Sequence, residues 1–466
     1  MNAEWAVPQK AAARAGMARW LSATVMLAAF AGCAHYQRKP LATKTDLATA
    51  LPALVASPRA LQLPGVRPRN FDPRIGLSAT ETAQFAVVAD PALRALRDRR
   101  GLARAQLFAA GLLPDPQLTV SAARVLSSGP GLYDPRALAL TETLGRLITR
   151  GDAKAAASAH VRQVNLEVLW QEWQVAARAR VLWTELRLDR REQRLLQREA
   201  AFYRAGIGAY HRAAAAGALT ELELARWQSA AVRVQDREGH VRRRAQAAAA
   251  NLRLLLGLAE QVPLVLHGPV HRALPSTSTV ARALRALPAR RPDLRALAAG
   301  YRSANARLRM EILAQFPGIS VQLNRARDNN GVNTAGVALA LRLPIFDGNR
   351  GHIAIARATR RALRQQYQAR LDESTVEVQR VYRSLVSMAR EQRAVGGPHL
   401  ASLRSMARHS RRAFGAGALG WNRYALAQQY YFERATLALR LDRELAEGRV
   451  MLQTLLGVPD LRAATS

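Results

Sequence analysis

Apolar residues recur every three or four positions over residues 153–208, where Leu166, Val168, Leu169, Trp173, Ala176, Ala177, Val181, Leu182 and Leu186 mark one stripe. That spacing predicts an amphipathic helix of about 55 residues, about 80 Å long at 1.5 Å per residue. A second helix is predicted over 220–257, after a break around Gly206, Gly208 and Gly217. Proline placement agrees. None falls between Pro135 and Pro263, and only Pro344 and Pro398 fall between Pro317 and Pro459. Globular helices average about 11–12 residues, so elements this long predict a coiled coil or a helical tube.

Twice the helical period gives way to strict alternation. Leu118-Thr119-Val120-Ser121-Ala122 alternates, Ser127 to Gly131 turns, and Leu138-Ala139-Leu140 resumes. Later Ile319, Val321 and Leu323 alternate with Ser320, Gln322 and Asn324. Asp328-Asn329-Asn330-Gly331 then turns the chain into the alternating Val337, Leu339, Leu341 and Leu343. Strands are predicted near 115–125, 133–143, 317–327 and 332–343. One apolar face on strands of about 9–12 residues suits a tilted membrane-barrel strand. Two hairpins packed on a soluble core are the other reading. Four strands cannot close a barrel, and open edges are not tolerated in lipid, so a membrane reading demands several copies of the chain. Tyr133, Phe316 and Phe346, near strand ends, are candidates for the lipid interface.

The two halves repeat. Arg150-Gly151, Gly217-Ala218-Leu219 and Leu255-Leu256-Gly257 recur as Arg350-Gly351, Gly417-Ala418-Leu419 and Leu455-Leu456-Gly457, all offset by 200 positions. Three pairs in one register imply a tandem duplication, with a first repeat at 81–275 and a second at 276–466.

Ahead of the repeats, residues 17–33 read as a secretory signal. Arg19 is the positive residue, Leu21 to Ala31 the apolar core, and small residues precede Cys33, the chain's single cysteine. This predicts a leader over 1–32, with Met17 a plausible start. The Pro-rich stretch over 33–80, with Pro40, Pro52, Pro58, Pro64, Pro68 and Pro73, cannot hold a long helix and predicts an extended tether. No later window has about 18 uninterrupted apolar residues.

Composition narrows the function. The net charge is +35, from 69 Lys+Arg against 34 Asp+Glu, yet aromatics make up only 6%. The basic residues are arginines except for Lys10, Lys39, Lys44 and Lys154, and they are scattered at helical spacing. That pattern fits solvated helix faces better than a nucleic-acid surface. One cysteine excludes a disulfide framework and a cysteine zinc site, and nine scattered histidines show no metal-ligand spacing. No nucleophilic triad, phosphate loop or paired-carboxylate motif stands out, so no enzyme activity, cofactor or metal is expected. Gly348-x-x-Gly351 reads as a strand-to-helix turn rather than a phosphate cradle.

Two segments carry a family resemblance: Ala109-Ala110-Gly111-Leu112-Leu113-Pro114-Asp115-Pro116-Gln117-Leu118 entering the first strand, and Leu341-Arg342-Leu343-Pro344-Ile345-Phe346-Asp347-Gly348-Asn349-Arg350-Gly351 leaving the last. With the Gly-x-Leu turns and Leu-Leu-Gly helix ends, the chain resembles the outer-membrane efflux proteins, the TolC-like channels, over residues 80–460. The resemblance implies an α+β membrane protein that assembles as a homotrimer. Each chain would give four strands to a 12-stranded outer-membrane β-barrel and long helices to a periplasmic α-barrel. It also implies a passive conduit for small toxic solutes, joined to a periplasmic adaptor and an inner-membrane RND-type pump. Phe30-Ala31-Gly32-Cys33 resembles a bacterial lipobox, which implies acylation of Cys33 and, with Ala34 following, an outer-membrane destination. A soluble periplasmic coiled-coil scaffold lipoprotein is the alternative.

The same resemblance places Gly217, Leu219, Gly417 and Leu419 at a periplasmic tip where the adaptor docks, each leucine an exposed knob. It places a pore gate six and nine residues after each glycine. The TolC-type member has aspartates there in its second repeat; this chain has Arg423 and Leu426, and Glu223 and Arg226 in the first. Arg423 either lines the pore, replacing an acidic ring, or faces solvent.

Overall fold

The computed structural model describes residues 36–50, 75–127, 129–215 and 221–458. The chain divides into two units, Met1–Asp46 and Leu47–Ser466. In the first, residues 36–46 are exposed and carry no helix or strand. The described helices and strands all belong to the second.

Each half runs through the same series of elements, and local chemistry sets the boundaries. Ser78 opens α1 (Ala79–Ala89). Its hydroxyl accepts from the Glu81 N–H, and the Glu81 carboxylate accepts from the Ser78 N–H, a reciprocal capping box. The Asp90 carboxylate accepts from the Leu93 N–H at 2.8 Å to start α2 (Pro91–Gly111), with proline at the first helical position, where no N–H is needed. Strands β1 (Gln117–Ala122) and β2 (Arg136–Thr143) follow, then helices α3 (Gly145–Ala215) and α4 (Glu221–Leu255). The second half repeats the plan. Ser276 caps α5 (Thr277–Arg285), a short α6 (Leu287–Arg290) follows, and Pro292 opens α7 (Pro292–Leu313). Strands β3 (Gly318–Arg327) and β4 (Asn333–Arg342) lead to α8 (Arg350–Gly396), α9 (Pro398–Gly415) and α10 (Trp421–Leu455).

At 71 residues, α3 is about 105 Å long and exceeds the length its periodicity predicts. It does not break at Gly206 or Gly208. A Cβ on Gly206 would lie 2.5 Å from the Trp227 ring and 2.8 Å from that of Trp421, so this glycine admits two tryptophans rather than turning the chain. In the second half the corresponding rod is divided: α8 ends at Gly396 and α9 begins at Pro398. Proline lacks the N–H and its ring clashes with the preceding turn, so the helix restarts there.

Both terminal helices of the halves stop by the same device. Gly257 and Gly457 take φ of +60° and +68°. Leu258 N–H donates to the Arg253 carbonyl and Gly257 N–H to that of Leu254; Val458 and Gly457 repeat the pattern onto Gln453 and Thr454. These are Schellman caps, which need a residue free to enter the left-handed region. Residue 48 docks on the first cap: Ala48 N–H donates to Gly257 O, and Ala259 N–H donates to Ala48 O. The Pro-rich stretch is therefore tied to the helical body at Ala48, while residues 51–74 lie outside the described residues.

The main core gathers where α1, α3 and α4 meet, around Phe85, Trp183, Leu252, Leu256, Leu258 and Leu266. Leu77, fully buried there, accepts from Trp183 Nε1 at 2.9 Å through its carbonyl. A second cluster joins the halves, packing Phe202, Tyr203, Tyr210 and Trp227 against Ala425 and Phe432. The four strands form one antiparallel sheet in sequence order, β1-β2-β3-β4.

Candidate functional site

The sheet has two chemically different faces. Its register sets Leu118, Leu140, Leu323 and Val337 in one row, with Val120 and Leu138 in the next. On the other side Thr119, Ala139, Asn324 and Gly336 form a row of small and polar groups, followed by Ser121, Ala137, Ala326 and Thr334. The apolar face is bare: Val120 and Val337 are 71% and 73% exposed. β1 and β4 are both open edges. A sheet with a bare apolar face and two free edges is incomplete as a single chain in water. At about 3.4 Å per residue, the ten residues of β3 span about 34 Å. Tilted by about 40°, they rise about 26 Å, close to the apolar band of an outer-membrane barrel.

All four connections to helices leave from one end of this sheet, where Gln117, Thr143, Gly318 and Arg342 lie, and both hairpin turns are at the other. Two junctions at the helix end are fastened by arginines of the repeated Arg-Gly pair. Arg150 donates through Nε and Nη2 to the Gly111 carbonyl at 2.9 and 2.6 Å. Arg350 donates to the carbonyls of Phe346 and Asp347. Gly348 and Asn349 take φ of +52° and +54° in succession, and Asn349 Nδ2 donates to the Glu311 carbonyl at 2.7 Å. The Asp-Gly-Asn run is thus a strand-to-helix turn whose left-handed backbone suits only those residue types.

Among the tip residues, Gly217 and Leu219 lie outside the described residues, as does Cys33. The second turn is visible. Ala418 N–H donates to the Ala413 carbonyl and Gly417 N–H to that of Phe414, with Gly417 at φ +73°. This is a third Schellman cap, ending α9 before Gly420 starts α10. Gly417 and Ala418 are exposed, but Leu419 is half-buried and is not the projecting knob expected of it. Arg226, Arg423 and Leu426 are exposed and Glu223 is half-buried. The rings of Trp227 and Trp421, centroids 5.3 Å apart, bring the first turns of α4 and α10, and with them these four positions, to the same end of the body.

Those tryptophans belong to an aromatic cluster that the sequence did not reveal. Phe202 stacks on Trp421 with centroids 6.1 Å apart, and Phe414 on Tyr424 at 4.7 Å. Tyr210 and Asn422 meet through Oη and Oδ1 at 3.3 Å. The cluster clamps the ends of α3, α4, α9 and α10 together behind the tip. Its members sit more than two hundred positions apart, so only the repeat register could have suggested it.

Farther along the rods, an ion-pair belt also joins the halves. The fully buried Asp189 accepts from Arg244 at 2.6 Å and from Arg443 at 2.7 Å, and Glu192 accepts from both. Burial, and then the neighbouring Glu185 carboxylate, push Glu447 up to about 7 against the opposing charges of Arg443 and Arg244. Glu185 is likewise raised by burial and by Asp189.

A groove of about 950 Å³ between α2, α3, α7 and α8 is lined mainly by aliphatic groups. Its Asp293 is already bound by Arg291 and Arg370. Burial alone would raise this carboxyl, but the two guanidiniums hold it below the usual range. Asp293 is thus held as a carboxylate by its two partners. Among the described residues no group of three His, Cys, Asp or Glu side chains converges as a metal site, and no helix is long and apolar enough to cross a membrane.

Residues 283–458 match the family model described as outer membrane efflux protein. No curated protein matches the chain in sequence. Among solved structures, CusC, studied for folding and transmembrane channel formation, is similar over 84% of this chain and 95% of its own, with TM-score 0.66 and 17% identity. The outer membrane channel MtrE of Neisseria gonorrhoeae, in an open state, matches 82% of this chain and 89% of its own, with TM-score 0.66 and 16% identity. The Campylobacter jejuni outer membrane channel CmeC matches 81% and 85%, with TM-score 0.65 and 14% identity. At these identities the likeness is one of fold, and it extends across both halves.

Proposed function

We propose that the chain is a member of the outer-membrane efflux protein family, whose model it matches over residues 283–458, and that it is the outer-membrane channel of a tripartite efflux system. The observation that carries this reading is the sheet: four strands, one bare apolar face, one small polar face and two open edges. Three copies joined edge to edge give twelve strands, closing the edges and placing the apolar face on lipid and the polar face on a water-filled lumen. The helices leave from one end of that sheet. In this reading they descend into the periplasm as a tunnel whose tip, at residues 416–420 and its counterpart at 216–220, meets a periplasmic adaptor carried by an RND-type pump.

The conduit does no chemistry of its own. Transport is passive through the lumen, and the energy comes from the pump. Acylation at Cys33 supplies a second membrane hold beside the barrel, because two or more acyl chains anchor firmly at about 0.8 kcal/mol per buried CH₂. Exposed Arg423, carried on the first turn of α10, sets a less cation-selective mouth if its three copies face the axis.

Reconstitution tests the channel directly. Purified protein in planar bilayers is expected to give discrete, long-lived conductance steps. A protein that stays soluble without detergent and gives no conductance supports the scaffold alternative instead. Reversal potentials in a salt gradient then test the gate, since Arg423→Asp is expected to shift the channel toward cations.

A further inference from the structure

Three arginines crowd one end of the apolar face. Arg136 on β2 pairs directly with Arg327 on β3, in the row Ala122–Arg136–Arg327–Asn333. Arg325 lies two residues away on the same face, in the row Val120–Leu138–Arg325–Ala335. All three are exposed. Like charges set opposite one another on adjacent strands repel, and among the described residues no carboxylate forms an ion pair with any of them. The two acids of the neighbouring turns have other work. Asp134 Oδ1 accepts from the Val125 N–H, and Asp328 Oδ1 accepts from those of Asn330 and Val332. Arg327 lies over the Tyr133 ring, 4.3 Å from its centroid. On the opposite face the matching row is Ser121, Ala137, Ala326 and Thr334, which holds no charge. The positive cluster therefore shares the apolar face of the sheet and not the small polar one.

We propose that Arg136, Arg325 and Arg327 form a phosphate-binding rim for the headgroups of anionic outer-leaflet lipid. The inference rests on the barrel reading, which puts the hairpin end of the sheet at the outer surface and the apolar face against lipid. There the aliphatic stems lie on the apolar band formed by Leu118, Leu138, Leu140 and Leu323 while the guanidiniums reach up to the headgroup level. Guanidinium forks bind phosphate oxygens in pairs, and a bridging phosphate turns the Arg136–Arg327 repulsion into attraction. Three copies of the chain give three such clusters around the barrel, each seated where a strand row passes from leucine and valine to arginine.

The test uses the full-length protein reconstituted in phosphatidylcholine vesicles containing a small fraction of diphosphoryl lipid A, or the same lipid stripped of its phosphates. After gentle detergent extraction, the wild type is expected to retain the phosphorylated lipid about tenfold over the dephosphorylated one, equivalent to about 1.4 kcal/mol. R136Q/R325Q/R327Q is expected to lose that preference, and the triple lysine variant to keep part of it. Equal retention of both lipids by the wild type, or undiminished preference in the glutamine variant, overturns the rim. Full displacement of the lipid by millimolar inorganic phosphate also overturns it, since the site would then serve a free anion. Conductance of the same preparations separates the two levels: a conducting channel indifferent to lipid phosphate refutes only the rim, whereas a protein that never inserts refutes the barrel reading and the rim with it.

Discussion

In the helical body Trp183 and Leu252 are no more than 1% exposed, whereas in the sheet Val120, Leu339 and Val337 are 71%, 63% and 73% exposed. The body buries its apolar groups within one chain, through clusters inside each half and others that join the two. The sheet carries residues just as apolar and buries them against nothing in that chain. Water alone cannot be the final environment of such a face, because exposed patches of this kind drive association or membrane contact. The same chain thus holds a part that is finished as a monomer and a part finished only by other copies and by lipid.

Breaking the second part without the first is the sharpest use of this contrast. Leu323→Lys places a charge mid-row on the apolar face, at a cost of about 2–4 kcal/mol per copy near the bilayer midplane and about three times that in a trimer. The expected result is loss of the membrane-inserted oligomer with helical circular dichroism retained. Leu252→Ala attacks the body instead. Emptying a fully buried leucine site there is expected to cost about 2–5 kcal/mol, read as a lower denaturation midpoint of the helical signal. Gly206→Ala pushes a methyl into Trp227 and Trp421 and is expected to cost about 1–3 kcal/mol, with altered tryptophan fluorescence marking a loosened tip.

The smallest of these effects is a pH dependence from the ion-pair belt. Glu447, raised from its ordinary 4.5 to about 7, binds its proton more tightly in the folded state than in the unfolded one. Its contribution is full below about 4.5 and is lost as pH rises through about 7. Discounted for the solvent that reaches this half-buried side chain, the loss is about 1 kcal/mol. Glu447→Gln is expected to flatten the decline in stability between pH 5 and 8 that wild type shows in chemical denaturation.

Elements governed by neighbours in sequence were legible, and those governed by distant contacts were not. Alternation marked out the segments that become β1 to β4, and the repeated Leu-Leu-Gly pairs marked two Schellman caps, because a pleat and a left-handed turn are written within a few residues. Gly206 misled, since a glycine that makes room for another chain segment looks in sequence like one that turns its own. Pro398 divides the second rod while the first, with Arg198 at the same offset, runs on, a difference visible only when the halves are laid side by side. The belt was out of reach: Arg443 and Asp189 lie 254 positions apart, and one arginine among so many evenly spaced ones carries no mark of its partner.

The claim beneath all of this is that the sheet is one third of a closed barrel. The decisive measurement is the mass of the detergent-extracted, membrane-derived protein by light scattering corrected for bound detergent. Three chains per particle is the expected value, accompanied by conductance from the same fraction. A monomeric particle that retains its strands, with both edges open, would contradict the account.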